Sequence, residues 1–192
     1  MKYEEYNFEK ETFPILVKGS RVLRPWELKL LLNSIEKESN RIKFEALLYT
    51  GVRYPEAIHL LEHPSIFKGS TIIMKSSKPK ANVPVRYIRL TFEGKRAVQR
   101  FIDQKIPLPH YANWRKDLIR WARNAGLESG GFGTKTTRKT WESWLTYTYV
   151  DRRDEVTLSQ GHDRLTSLNH YLGLPYSKQD KEDMIPFVEN WI

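Results

Sequence analysis

Apolar residues recur at intervals of three to four along much of the chain, the spacing of amphipathic helices. Arg24-Pro25-Trp26-Glu27 opens the first, with Pro25 in the first turn, where its missing N–H costs nothing, and with Trp26, Leu30 and Leu31 on one face. This helix is expected to reach about Ser39, and a second pattern over residues 42–49 stops at Thr50-Gly51. Pro55 starts a third helix, residues 56–61, and is expected to push Tyr54 out of helical geometry, leaving Arg53 in the loop that feeds a helix N-terminus. Between His63 and Thr91 the pattern changes to short β-rich runs, residues 71–74 and 83–90, around the basic segment Ser76-Ser77-Lys78-Pro79-Lys80-Ala81-Asn82. This reads as a hairpin with a lysine-bearing tip, and residues 64–67 are expected to add a short edge strand. Helical spacing returns over residues 92–104 and 113–125, where Gly126 is a natural stop. A flexible link, Gly130-Gly131-Phe132-Gly133, precedes an aromatic-rich helix over residues 136–150. Trp141, Trp144 and Tyr147 on that helix read as core. Short helices are expected around 154–159 and 164–172, followed by an acidic, amphipathic tail over residues 180–191 that suits docking on a neighbouring protomer or packing on its own domain. The expected fold is mainly α with a small three-stranded antiparallel β-sheet, an α+β single domain over residues 1–192 with its core at about 24–175 and a tail at 176–192.

Composition narrows the class. In 192 residues there are six Trp, ten Tyr and eight Phe, enough to build a core, and no cysteine. Disulfide scaffolds, thiolate metal sites and cysteine nucleophiles are therefore excluded. No apolar run approaches the roughly 20 residues of a membrane span, and residues 1–10 are charged, so a cytoplasmic address is expected.

Charge narrows the partner. The formal net charge is +9, and it is segregated. Residues 1–50 hold nine basic and eight acidic groups, whereas residues 68–100 hold nine basic groups and the single acid Glu93. A second block, residues 115–139, has seven bases and two acids. So few acids among so many bases favours a phosphate backbone as partner over an ordinary solvated face.

Five features collect what attack on a phosphodiester requires. Thr50-Gly51-Val52-Arg53-Tyr54-Pro55-Glu56 places an arginine at a helix entrance with a glutamate three residues on. The hairpin carries Lys75, Lys78 and Lys80, and Lys135-Thr136-Thr137-Arg138-Lys139-Thr140 opens the aromatic helix. Leu158-Ser159-Gln160-Gly161-His162 follows, and Tyr171 lies nine residues beyond His162. Two arginines can each donate paired hydrogen bonds to non-bridging oxygens, a histidine can assist proton transfer, a lysine can protonate a leaving alkoxide, and a tyrosine can form a covalent link. Each also has a structural reading: Arg53 pairing with Glu56, the hairpin lysines guarding a strand edge, Arg138 bracing a helix, Tyr171 in the core.

In order and spacing the set resembles the catalytic domain of the tyrosine recombinases, the phage-integrase family, which is mechanistically similar to type IB topoisomerases. The family's Thr-Gly-x-Arg-x-x-Glu motif is matched at Thr50 to Glu56, and its Leu-x-x-Gly-His motif with a tyrosine nine residues later at Leu158, Gly161, His162 and Tyr171. Its His-x-x-Arg box is matched at Arg138, with Lys135 in place of histidine, as in some archaeal and viral members. The resemblance implies a site-specific DNA recombinase working through a 3′-phosphotyrosyl intermediate. Tyr171 would be the nucleophile, Arg53, Arg138 and His162 would hold the phosphate, Lys78 would be the general acid, and Lys135 would supply positive charge. Lys75 and Lys80 are alternatives for the acid and, with Arg86 and Lys139, candidate DNA contacts. No cofactor or metal is implied. The implied partner is double-stranded DNA, with self-association into dimers or tetramers upon it.

Family members usually carry a helical core-binding domain ahead of the catalytic one, whereas about 23 residues precede the first expected helix here. An isolated catalytic portion or a naturally minimal recombinase would each fit. Three rival readings remain. His59-Leu60-Leu61-Glu62-His63 matches a His-x-x-Glu-His metalloprotease string, although Pro64 cuts the helix at its second histidine. A topoisomerase that relaxes supercoils, or a catalytically silent DNA-binding protein on the same fold, would use the same residues.

Overall fold

The computed structural model describes residues 13–75, 85–161 and 173–191. It opens with an antiparallel hairpin that periodicity did not signal, β1 (Ile15–Val17) paired with β2 (Ser20–Val22). Lys18 and Gly19 between them both take left-handed backbone, at φ 46° and 69°, which is the geometry of a two-residue hairpin turn. Ile15, Val17 and Val22 are buried from this hairpin.

Helix α1 (Pro25–Asn33) starts with Pro25 as expected but stops six residues short of Ser39. The Ser34 hydroxyl donates to the Leu31 carbonyl at 2.7 Å and is within 2.9 Å of the Trp121 carbonyl, and such local bonding competes with helix continuation. Ile35 is buried in the break, and α2 (Glu38–Thr50) begins earlier than its apolar pattern. Gly51, at φ 60°, ends α2. Helix α3 (Tyr54–Glu62) includes Tyr54 in its first turn; Arg53, at ψ 151°, is the extended residue that enters it.

The expected three-stranded sheet is replaced by two separate two-stranded sheets. The second pairs β3 (Thr71–Lys75) with β4 (Val85–Arg89) in the register Ile72 to Ile88 and Met74 to Arg86. Residues Pro64–Ile66 form a 3₁₀ turn, and Phe67 adds a single bridge to Ile72. A proline at the start, without an N–H to give a ladder, favours the turn over an edge strand.

Helix α4 (Phe92–Gln104) has the bounds its pattern predicts, with the Thr91 hydroxyl accepting the Gly94 N–H at 3.0 Å. Helix α5 (Tyr111–Asn124) buries Trp114, Leu118 and Trp121. At the centre lies α6 (Thr136–Thr148), which packs on α2, on β2 and on the two elements that follow, with Trp141 and Trp144 buried. Those are α7 (Arg153–Gln160), which also packs on β4, and α8 (Lys178–Val188). The expectation that 141, 144 and 147 are core is met: Tyr147 is half-buried, with its hydroxyl on the Leu174 carbonyl at 2.7 Å.

The tail folds back on its own domain. Asp180 pairs with Arg24, both buried, and Met184, Val188 and Trp191 enter the core. Among the described residues no helix is long and apolar enough to cross a membrane.

Candidate active site

Three arginines from three different elements meet at the junction between the end of α2 and the end of α7. Arg53, entering α3, donates from Nη1 to Glu56 Oε1 at 2.8 Å and from Nη2 to the Gly161 carbonyl at 3.3 Å. Its backbone N–H donates to the other Glu56 oxygen at 2.7 Å, so the glutamate closes the first turn of α3 while gripping the arginine. Arg138, on the first turn of α6, donates to the Gly51 carbonyl at 2.6 Å and to the Gln160 carbonyl. Arg86, on β4, donates to the Ser159 and Gln160 carbonyls at 3.2 and 2.5 Å and pairs with Glu56.

Two glycines lock this junction. Gly51 and Gly161 both have left-handed backbone, at φ 60° and 66°. A Cβ on Gly51 would lie 2.4 Å from Gln160 Oε1 and 2.8 Å from Trp141 Cδ1, and one on Gly161 would lie 2.9 Å from Arg86 Cδ. The glycines of the two sequence motifs are therefore required for backbone sign and for space at once. The Gln160 amide between them is fully buried and has no hydrogen-bond partner among the described residues.

Electrostatics follow the packing. Burial pushes the Glu56 carboxyl up, but Arg86 and the backbone N–H and guanidinium of Arg53 outweigh it, so the group lies below the usual carboxylate value. Burial pushes Arg86 down to about 10, Glu56 opposing and Arg138 and Arg53 adding to it. The three guanidiniums are balanced in part by Glu56 and by the buried Glu142 carboxylate on α6, which also acts on Arg86.

The expected site residues fall into four groups. Arg53, Arg138 and the Gly161 end of the fourth motif are brought together. Lys135 is exposed at the N-terminus of α6, three residues before Arg138, and lines a pocket of about 260 Å³ with Tyr111, Arg115 and the glycine link. Lys75 is exposed at the end of β3. Lys78, Lys80, His162 and Tyr171 lie outside the described residues, as do the expected helix at 164–172 and the hairpin tip.

Two expected DNA contacts are committed elsewhere. Arg86 has a side chain only 5% exposed, held by Glu56 and by the Ser159 and Gln160 carbonyls, so it braces the junction from within. Alternation along β4 carried that signal, because Arg86 shares a face with Ile88. Lys139 is half-buried, with its ammonium on the Val17 carbonyl; burial lowers its pKa, and Lys135 and Lys18 lower it further. Tyr176, five residues after Tyr171, is buried with its hydroxyl 2.8 Å from that of Ser143. Burial raises its pKa far above the ordinary phenol value, which removes it from surface chemistry.

No family model matches the sequence, and no curated protein does. Solved structures do. The Tn1549 transposon integrase in complex with transposon right-end DNA is similar with a TM-score of 0.60 at 18% identity, over 84% of this chain and 63% of that one. The same integrase with circular-intermediate DNA gives 0.59 at 16% identity, over 92% and 67%. The XerH site-specific recombinase, bound to a palindromic difH substrate in a post-cleavage complex, gives 0.59 at 22% identity, over 88% and 53%. This chain thus spans between about half and two thirds of the length of those structures. What it shares with these DNA-bound integrases and recombinase is the fold: mostly helical, with small antiparallel sheets.

Proposed function

We propose that the chain is the catalytic part of a site-specific DNA recombinase that cleaves and rejoins strands through a 3′-phosphotyrosyl intermediate. The observation that carries this reading is the convergence of Arg53 and Arg138 on the Gln160–Gly161 segment immediately before His162, on a fold shared with DNA-bound integrases. In the proposed step the Tyr171 oxygen bonds to the scissile phosphorus while the bond from phosphorus to O5′ breaks. His162 assists transfer of the phenolic proton, and Lys78 gives a proton to the departing 5′ oxygen.

Arg53, a third exposed, offers its guanidinium to one non-bridging oxygen. Arg138 holds two carbonyls, and phosphate binding exchanges one of these bonds for a phosphate oxygen. Lys135 adds charge from the rim, and Lys75 and Lys80 with the second basic block grip the flanking backbone. Attack by the 5′-hydroxyl of a partner strand reverses the chemistry and gives exchange without ATP, on an assembly of protomers over two duplexes.

A duplex nicked close to the cleavage point tests this, because loss of the short leaving fragment traps the covalent state. Wild-type protein should form a denaturant-resistant adduct that Tyr171→Phe does not. Retention on DNA without any adduct would replace the recombinase by a silent DNA-binding protein. Relaxation of supercoiled plasmid with no exchange between paired sites would replace it by a topoisomerase.

A further inference from the structure

His59, Glu62 and His63 form a cluster unconnected with the arginine site. Their ligand atoms all lie within 4.8 Å of one another, and the two imidazole centroids are 4.4 Å apart with planes at 58°. Residues four apart on a helix stack on one face. That placement is retained to the very end of α3, because the His63 N–H still donates to the His59 carbonyl at 2.9 Å.

The backbone beneath the cluster is fixed on both sides. Ala57 and Leu60 are buried on the opposite face of α3, and Pro64 begins the 3₁₀ turn that follows directly. Glu62 and His63 are exposed and His59 is half-buried, so an ion has access from solvent. Among the described residues no side-chain hydrogen bond or ion pair engages either imidazole or the Glu62 carboxylate.

We propose that this cluster is a binding site for a divalent transition ion of the zinc class. Two imidazoles and a carboxylate are the donor set such borderline cations take, at about 2.0–2.2 Å, and water completes the tetrahedron. Tetrahedral ligands at that distance from an ion stand about 3.3–3.6 Å from one another, so donors now within 4.8 Å need to close by about 1 Å, a movement of the scale that side-chain rotation supplies. With Glu62 spent as a ligand, no carboxylate of the cluster remains to act as general base. The ion therefore staples the last turn of α3 to the start of the Pro64–Ile66 turn, and the protease reading of the same string falls away. The site stands apart from the strand-transfer chemistry and does not depend on it.

Cobalt(II) titration of the full, untagged chain, followed by the visible absorption of the bound ion and by zinc competition, tests the site. One cobalt per chain, displaced by zinc, is expected. Affinity should fall at least tenfold in His59→Ala and in His63→Ala, with Glu62→Gln intermediate and His110→Gln unchanged. Far-ultraviolet circular dichroism of each variant confirms that it has folded. Zinc should also raise the melting temperature of the wild type and leave that of His59→Ala where it was. Absence of stoichiometric cobalt uptake by the wild type, or uptake that persists in the folded His59→Ala and His63→Ala variants, would overturn the proposal.

Discussion

Arg86→Met removes the charge that joins the first and fourth motifs while keeping much of the side-chain volume. Arg86 and Glu56 are only 5% and 7% exposed, so little solvent screening weakens the pair. Removing one member of a buried pair costs about 3–5 kcal/mol, since the survivor stays buried; a pair at the surface would be worth about 0.2–1 kcal/mol. The Ser159 carbonyl also loses its donor, while Gln160 keeps Arg138. Urea unfolding of wild type, Arg86→Met, Glu56→Gln and the double variant closes a thermodynamic cycle. We expect a coupling of about 1–3 kcal/mol, the double variant being less destabilised than the two single changes added together.

The pH dependence supplies an independent sign. Glu56 titrates lower in the folded chain than its unfolded value of about 4.3. Its contribution is therefore complete above that unfolded value and is lost as pH falls through the folded one. In Arg86→Met burial is opposed by Arg53 alone, so the folded value rises towards the unfolded one and the acid limb should shrink; in Glu56→Gln this component of the acid limb should vanish. Additive single changes, or an acid limb identical in all four proteins, would refute the claim that Arg86 holds the two motifs together.

Gly51→Ala should destabilise by about 2–4 kcal/mol, combining left-handed strain with overpacking against Gln160 and Trp141; thermal unfolding checks it. Asp180→Ala leaves Arg24 buried without its carboxylate and should cost about 3–5 kcal/mol in the same assay. Sedimentation should show its association state unchanged, because the tail packs on its own domain. On duplex DNA, Lys75→Ala and Lys135→Ala should each reduce the slope of log affinity against log salt by about one, and Arg86→Lys should leave it unaltered.

What could be read from the sequence was what local rules fix. Helix α4 has its predicted bounds because its apolar spacing, the Thr91 cap and the run into Lys105 all agree. The break between α1 and α2 was hidden because the Ser34 hydroxyl also meets the Trp121 carbonyl, 87 residues away. The β1–β2 hairpin escaped because its strands are three residues long and its turn places Lys18, a residue that gives no turn signal, in left-handed backbone. The Arg24–Asp180 pair, which fixes the tail, spans 156 residues.

The site was legible as chemistry before it was legible as structure. Arg53, Arg138 and Gly161 could be chosen from residue type and spacing, and they do meet. Glu56 was visible as a motif residue, but its grip on Arg86 as well as Arg53 is a tertiary fact. The bracing role of Arg86 was less visible than its charge, although its alternation with Ile88 already places it on the inward face of β4.

The recombinase reading is tested most directly by the chemical identity of the residue joined to DNA. Adduct trapped on the nicked duplex can be digested with protease and nuclease and the nucleotidyl peptide sequenced by mass spectrometry. A 3′-phosphate ester on Tyr171 is the predicted result; linkage through any other side chain, or no covalent peptide from active protein, would contradict it.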